Sequence, residues 1–216
     1  MNIVKPKQTT VIICAAGMGT RLGIGTTKAL VDIDGVPLIL RQLELLNEFD
    51  DIRIVAGFQA EKLIQVVKGY RKDIMFVFNY QYETTGVADS LRKGMKAARE
   101  FILYLDGDIL INPSDFSAFL SSNPETLGVS EIKTAEPVRA LVKEGQALSL
   151  SKIEGNMQWP GIVRIKGEKL QGTSSHVYDV LNEILPLPAF TIRTREIDTQ
   201  EDYEQAIDWF KKGQVD

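Results

Sequence analysis

The stretch "VIICAAGMGTRLG", residues 11–23, decides how the rest of the chain is read. Residues 11–16 are apolar or small, with β-branched Val11, Ile12 and Ile13, and they read as a buried strand. The run then meets Gly17, Gly19 and Gly23, with Arg21 set among them. A glycine-rich turn after a strand brings backbone amides close to a phosphate, because no Cβ stands in the way. Two familiar phosphate loops do not fit. In the dinucleotide fingerprint the third glycine would come one place earlier and an apolar helix would follow, not Gly25, Thr26 and Thr27. In the P-loop a glycine precedes the lysine and Ser or Thr follows it. Here Thr27 precedes Lys28 and Ala29 follows.

Outward from this stretch the chain alternates short β-like runs with amphipathic helical ones. Strands are expected at 10–17, 52–58 and 74–79 and within 101–110, with helices at 37–49, 60–70 and 87–98. The helices carry apolar residues at three and four spacing, such as Leu63, Val66 and Val67. The strands are continuously apolar, as in a sheet covered on both faces. The pattern predicts an α/β fold with a Rossmann-like, doubly wound, mixed but mostly parallel sheet. After residue 126 short strands with polar turns ("TLGVSEIK", "RALVKEG", "ALSLSKI", "GIVRIKG") predict a small mixed or antiparallel β section. A helix at 175–185, a strand at 190–197 and a last helix capped by Thr199 and Asp202 complete the chain. No repeat or linker divides it, so 1–216 reads as one domain.

Composition narrows the function. Of 216 residues, 44% are hydrophobic and 25% charged, which supplies a full core. The net charge of −4 offers no global positive field for nucleic acid. A single cysteine, Cys14, and a single histidine, His176, form neither a disulfide nor a Cys/His zinc cluster, and one thiol suits a reducing cytoplasm. Apolar runs fall far short of the ~18–20 residues of a membrane span. Lys5 and Lys7 precede a run too short for a signal peptide's apolar region. The expectation is a cytoplasmic protein with no nucleic-acid or membrane partner.

Small residues close the first strand (Ala15, Ala16, Gly17), a loop carries one arginine, and Lys28 opens a second apolar segment, "KALVDIDGVPLI". Residues 12–39 fill almost every position of the signature L-A-A-G-x-G-[ST]-R-[LM]…K-x-L-x-x-[IV]-x-G-x-P. On these residues the chain resembles the nucleotidyltransferase (NTP transferase) family. The resemblance implies that Ala15, Ala16, Gly17 and Gly19 lie against the nucleotide, and that residues 1–125 form the nucleotide-binding part. Arg21 and Lys28 then stand as the catalytic cations, where a pyrophosphate would leave.

"FILYLDGDILI" sets Asp106 and Asp108 at the C-terminal end of a buried strand, where ligands of open α/β sheets bind. Two such carboxylates are costly unless hydrated, paired or metal-bound. The resemblance implies Mg²⁺ bound by Asp108 and by Asp198 of "REIDTQEDYEQA", with Asp106 positioning nucleotide or metal from outside the shell. Taken alone, Asp198 also reads as an acid at a helix N-terminus.

The resemblance assigns base binding to "VFNYQYETTGVADSLRKG", with Asn79, Gly86 and Ser90 as candidates, although Ser90 also suits an ordinary helix start. The strongest likeness is to phosphocholine cytidylyltransferase-like small cytidylyltransferases, carried by "YETTGVADSL", "YLDGDIL" and "REIDTQEDY". It implies CTP and a small phosphorylated or phosphonate acceptor as partners, with a homodimer left open. The acceptor would lie in 126–216, with Trp159, Lys152 and Tyr178 as candidates and Tyr82 nearby. Aromatic faces hold choline-like cations. Trp159 reads equally as packing under the sheet edge, Lys152 as a solvated lysine, and His176 as a surface residue. Three other readings stay open: a sugar-1-phosphate uridylyl- or thymidylyltransferase, a molybdopterin-type nucleotidyltransferase, and a nucleotide-sensing domain without turnover.

Overall fold

The computed structural model describes residues 4–23 and 25–215. Its first half runs β1 (Thr9–Ala15), β2 (Asp32–Ile33), β3 (Val36–Pro37), α1 (Leu38–Glu44), β4 (Ile52–Ala56), α2 (Ala60–Tyr70), β5 (Met75–Phe78), α3 (Val87–Gly94), β6 (Phe101–Asp106), β7 (Ile109–Ile111) and α4 (Pro113–Leu120). The second half runs β8 (Thr126–Val129), β9 (Arg139–Lys143), β10 (Gln146–Ser151), β11 (Met157–Gln158), β12 (Ile162–Lys166), α5 (Val177–Asn182), β13 (Leu187–Thr191), β14 (Thr194–Glu196) and α6 (Gln200–Lys211).

Ten strands form one sheet in the order β11-β9-β10-β13-β8-β12-β6-β1-β4-β5. β1 sits between β4 and β6, parallel to both. Every residue of β1 is buried, and successive side chains serve opposite faces. Val11, Ile13 and Ala15 join one core with Leu43, Leu63 and Phe116 from α1, α2 and α4. Ile12 and Cys14 join the other with Leu91 and Leu181 from α3 and α5. Helices on both faces explain the unbroken apolar runs of the central strands. Burial on both faces also raises the Cys14 thiol well above its usual pKa, desolvation first and the Asp106 charge second.

Seven of the ten strands run one way; β12, β10 and β11 run against them. The expected antiparallel section is therefore only partly separate. β9, β10 and β11 do form an antiparallel flap at the far edge. β8, β12 and β13, by contrast, lie inside the main sheet, with β12 returning antiparallel beside β6. The physical reason lies in their sequences. "IVRI" of β12 and "TLGV" of β8 are buried throughout, as interior strands must be. β9 and β10 bury only Ala140, Ala147 and Leu150 fully and leave their other positions half-buried or exposed, as a flap with one wet face does.

Several boundaries differ from the sequence reading, among them the helix expected at 175–185, which spans only Val177–Asn182. The expected strand at 190–197 divides, because the chain leaves β13 after Thr191 and β14 pairs with β7 instead. The helices expected over 37–49 and 87–98 end at Glu44 and Gly94 and continue as turns. The sequence reading assigned no helix to 113–120, yet α4 carries clear signals: Asn112 accepts from the Asp115 amide as N-cap and Pro113 opens the first turn. The last helix follows expectation, with Thr199 and Asp202 in a reciprocal capping box. No helix among the described residues is long and apolar enough to cross a membrane.

Candidate active site

The C-terminal ends of β1 and β6 meet in a cleft of about 370 Å³, lined by the 17–29 loop, residues 106–108 and, from the second half, Glu196 and Asp198. Close packing of the two strand ends sets its floor. The Gly107 amide donates to the Cys14 carbonyl at 3.0 Å. A Cβ on Gly107 would stand 2.8 Å from that same oxygen, so the turn after β6 needs glycine.

Gly19 has a related role that the glycine pattern alone did not reveal. Its φ is +61°, and a Cβ there would lie 2.8 Å from Lys28 Cγ. The loop therefore folds back so that the lysine stem passes over a bare glycine. Lys28 opens a short 3₁₀ turn, Lys28–Leu30, and its ammonium reaches two carboxylates at once. It donates to Asp108 Oδ2 at 2.9 Å and to Asp198 Oδ1. Asp198 also receives Arg21, whose guanidinium lies 3.0 Å from Oδ2. The backbone supports the acids, since the Ile197 amide donates to the Asp108 carbonyl at 2.9 Å.

Charge in the cleft is strongly coupled. Burial acts against the Lys28 ammonium, but the carboxylates of Asp108 and Asp198 outweigh it and hold the pKa above the ordinary lysine value. Asp106 is pushed up to about 8, first by burial and then by the Asp108 charge, while a hydrogen bond donated by the Tyr104 hydroxyl opposes the rise. Glu196 is likewise raised, by burial and then by Asp108, Asp198 and Asp106. Four acids thus share a site with one buried cation and one half-exposed one. Among the described residues no three acidic, His or Cys side chains already form a metal-holding group. Asp108 and Asp198 nevertheless converge on one point, now held by an ammonium. Hard oxygen donors around a cationic point suit Mg²⁺, which completes its shell with water and phosphate oxygens. The donor set fits such an ion.

The remaining expected residues fall into two groups. Ala15 and Gly17 line the cleft. Ala16 is buried beside it, and its carbonyl accepts the Phe58 amide at 3.0 Å. Asn79 and Ser90 are buried and bonded to each other. Asn79 Nδ2 donates to Ser90 Oγ at 3.0 Å and to Thr85 Oγ1 at 2.9 Å, and its Oδ1 accepts the Gln81 amide. This network shapes the 79–90 loop. Gly86 packs on the second half: a Cβ there would lie 2.1 Å from the Ser175 carbonyl oxygen, which accepts the Ala88 amide.

Trp159 is buried behind the cleft. Its indole donates to the Ile162 carbonyl at 3.0 Å, and its ring stacks on Tyr104 at 6.1 Å. Lys152 is exposed and donates to the Glu136 carbonyl at 3.2 Å, while Glu136 Oε2 lies 3.2 Å from Arg21. Tyr178 is half-buried and stacks on exposed His176, with 5.2 Å between ring centroids. The Tyr82 ring lies 6.3 Å from Phe58, outside the cleft's lining.

Sequence reasoning passed over Glu196, Tyr104 and Gly161. Tyr104 was legible as the residue two places before Asp106 on one strand, which puts both on the same face, and Glu196 as an acid that ends β14 two places before Asp198. Gly161 required the structure. Its φ is +81°, and a Cβ would stand 2.0 Å from Asp106 Oδ2.

With this geometry in place, comparison with known proteins identifies the relatives. The profile of the MobA-like NTP transferase domain matches residues 11–151. Over 130 residues, 59% of this chain, the sequence is 31% identical to the bifunctional protein GlmU of Sulfurovum sp. (strain NBC37-1). Those residues cover 30% of that relative, so the chain spans about a third of the length of the curated proteins it matches. The inositol-1-phosphate CTP transferase of T. maritima superposes with a TM-score of 0.77 and 21% identity, over 95% of this chain and 97% of that one. The CTP:phosphocholine cytidylyltransferase of Streptococcus pneumoniae gives 0.74 and 20%, over 94% and 99%. At these identities the two structures establish the α/β fold.

Proposed function

This chain belongs to the family of the MobA-like NTP transferase domain, and on that premise we propose that it is a Mg²⁺-dependent nucleotidyltransferase that moves CMP from CTP to a small phosphorylated or phosphonate acceptor. One observation carries the reading: the lysine of the signature loop meets two carboxylates delivered by distant parts of the chain, Asp108 after β6 and Asp198 after β14. A phosphate loop that merely bound nucleotide would not need both acids there.

In the reaction an anionic oxygen of the acceptor attacks the α-phosphorus in line. The new P–O bond forms as the α–β bridging bond breaks, and its electron pair leaves with pyrophosphate. The acceptor oxygen is already ionised, so no side chain has to remove a proton. Catalysis then rests on positioning and charge. The strand-end backbone at Ala15–Gly17 bears the nucleoside. Lys28 and Arg21 exchange carboxylate oxygens for phosphate oxygens and stabilise the charge that builds on the leaving pyrophosphate. Asp108 and Asp198 would hold a Mg²⁺ ion, which would supply positive charge to the triphosphate.

Support for CTP comes from the base-loop resemblance and from the CTP-using proteins whose fold this chain shares. Trp159, Lys152 and Tyr178 stay the candidates for the acceptor: none lines the cleft itself, but Trp159 packs on Tyr104 behind it and Lys152 bonds Glu136, the partner of Arg21. The test is pyrophosphate release with Mg²⁺, crossing CTP, UTP, dTTP, ATP and GTP with phosphocholine, 2-aminoethylphosphonate, phosphorylated polyols and sugar 1-phosphates. Release with CTP and one small acceptor is expected. Release only with UTP or dTTP and a sugar phosphate would overturn the base assignment and keep the chemistry.

A further inference from the structure

Gln42 lies on α1, on the far side of the β6–β7 turn from the cleft, and it is almost fully buried. Its side-chain nitrogen donates to two backbone carbonyls, Asp106 at 2.8 Å and Ile109 at 2.9 Å. These two carbonyls bracket Gly107 and Asp108, so one amide group spans the turn that presents the acid. The amide orientation follows from its partners: both are carbonyl oxygens, which only the NH₂ end can meet.

The other end of the same amide decides what the residue is for. Gln42 Oε1 is buried and has no hydrogen-bond partner. An orphaned buried acceptor costs about 1–3 kcal/mol. A leucine or methionine would fill the same helix position without that cost and would pack on Leu43 and Ile109. The amide is therefore retained for its two donors, and what those donors hold is the turn that carries Asp108. Tyr104 and Lys28 bond the turn's carboxylates, while its backbone is bonded by other backbone groups: the Asp106 amide to the Gly161 carbonyl, the Gly107 amide to the Cys14 carbonyl, and the Ile197 amide to the Asp108 carbonyl. Gln42 adds a side-chain brace from the helix directly after the signature loop.

We propose that Gln42 is a positioning residue that sets the Asp106–Ile109 turn so that Asp108 can bind the metal ion. The inference rests on the nucleotidyltransferase reading, and it concerns metal binding more than nucleotide binding. Backing groups of this kind change metal affinity or activity by about 10–100-fold when removed.

The test uses Gln42→Met, which keeps length and apolar packing but has no donors, with Gln42→Glu as a second variant should the first fold poorly. Two quantities are read on folded protein: hydrogen exchange of the 106–109 amides, and CTP binding by calorimetry as a function of Mg²⁺, with an EDTA arm. The expected result has three parts. Exchange rises at 107–109 and not in β1 or β4. The Mg²⁺ concentration for half-maximal CTP binding rises about 10-fold. Binding in EDTA matches wild type. Unchanged exchange in the turn would overturn the proposal. So would faster exchange with an unchanged Mg²⁺ requirement, which would make Gln42 a brace of the fold alone. If wild type itself shows no Mg²⁺-dependent binding, the functional reading fails in the control, and the proposal falls with it.

Discussion

The cleft is built from two regions of opposite mechanical character. The acidic turn at 106–109 is held from every side: by β1 through Cys14, by the segment before β12 through Gly161, by the β14 end through Ile197 and by α1 through Gln42. Among its described residues, the cationic loop at 17–28 is held mainly by side chains: Lys28 and Arg21 pair with the acids of the cleft, and Leu22 joins a buried cluster with Val31 and Ile197. Gly19, Gly23 and Gly25 adopt left-handed backbone, the Leu22 amide reaches back to Gly19, and Gln59 ties Gly25 and Thr26 from outside. The Arg21 side chain is 54% exposed, against 10% for its partner Asp198. On the proposed function the contrast separates two tasks. Asp108, which would present an oxygen to an ion at fixed geometry, sits on a braced turn. Arg21 and Lys28, which would let a triphosphate in and pyrophosphate out, sit on a loop whose ion pairs phosphate oxygens can replace.

Substitutions should respect this division, with the largest effects on the braced side. Asp108→Asn or Asp198→Asn is expected to lower pyrophosphate release by more than the ~10²–10³-fold typical of one charge-stabilising donor, with the protein still folded by circular dichroism. Near-wild-type turnover in both variants would remove the metal assignment and with it the rigid half of the comparison. Lys28→Ala is expected to cost about 10²–10³-fold in the single-turnover rate. A change confined to KM would mean that Lys28 only binds and does not stabilise the transition state.

Gly161→Ala sharpens the picture from outside the turn. The left-handed backbone alone should cost about 1–3 kcal/mol in urea unfolding. The new methyl must also displace Asp106, so turnover should fall together with stability. Loss of stability with full activity would show that the site does not depend on the position of Asp106. The smallest effect is expected on the yielding side. Glu136→Gln removes an exposed pairing with Arg21, and stability should move by less than about 0.5 kcal/mol. A drop of several kcal/mol would show that the loop is braced after all.

Much of this was legible in the sequence, for identifiable reasons. β1 and the glycine turn could be read because a two-faced buried strand must be continuously apolar and because the signature fills consecutive positions. Asp106 and Asp108 could be placed because carboxylates that follow such a strand have few alternatives. The capping box at Thr199 is a local rule, and it held. What was lost depends on distant chain segments. No local pattern says that "IVRI" returns antiparallel beside β6, or that β14 leaves the main sheet to pair with β7. The resemblance offered Gly86 as a base-binding candidate but could not show its packing on Ser175, which comes from a segment 89 residues away. Gln42 was invisible for the same reason: within α1 it is one of three polar residues, with Arg41 and Glu44, and its meaning lies in two carbonyls more than 60 residues on.

The most direct measurement follows the label. CTP carrying radioactive phosphorus at the α or at the γ position would be incubated with the protein, Mg²⁺ and the pooled acceptors, and the products separated. The account predicts that α-label appears in a new acceptor-linked CMP compound and that γ-label appears in pyrophosphate. Label from the γ position in orthophosphate or on the acceptor, or α-label that stays in nucleotide alone, would contradict it.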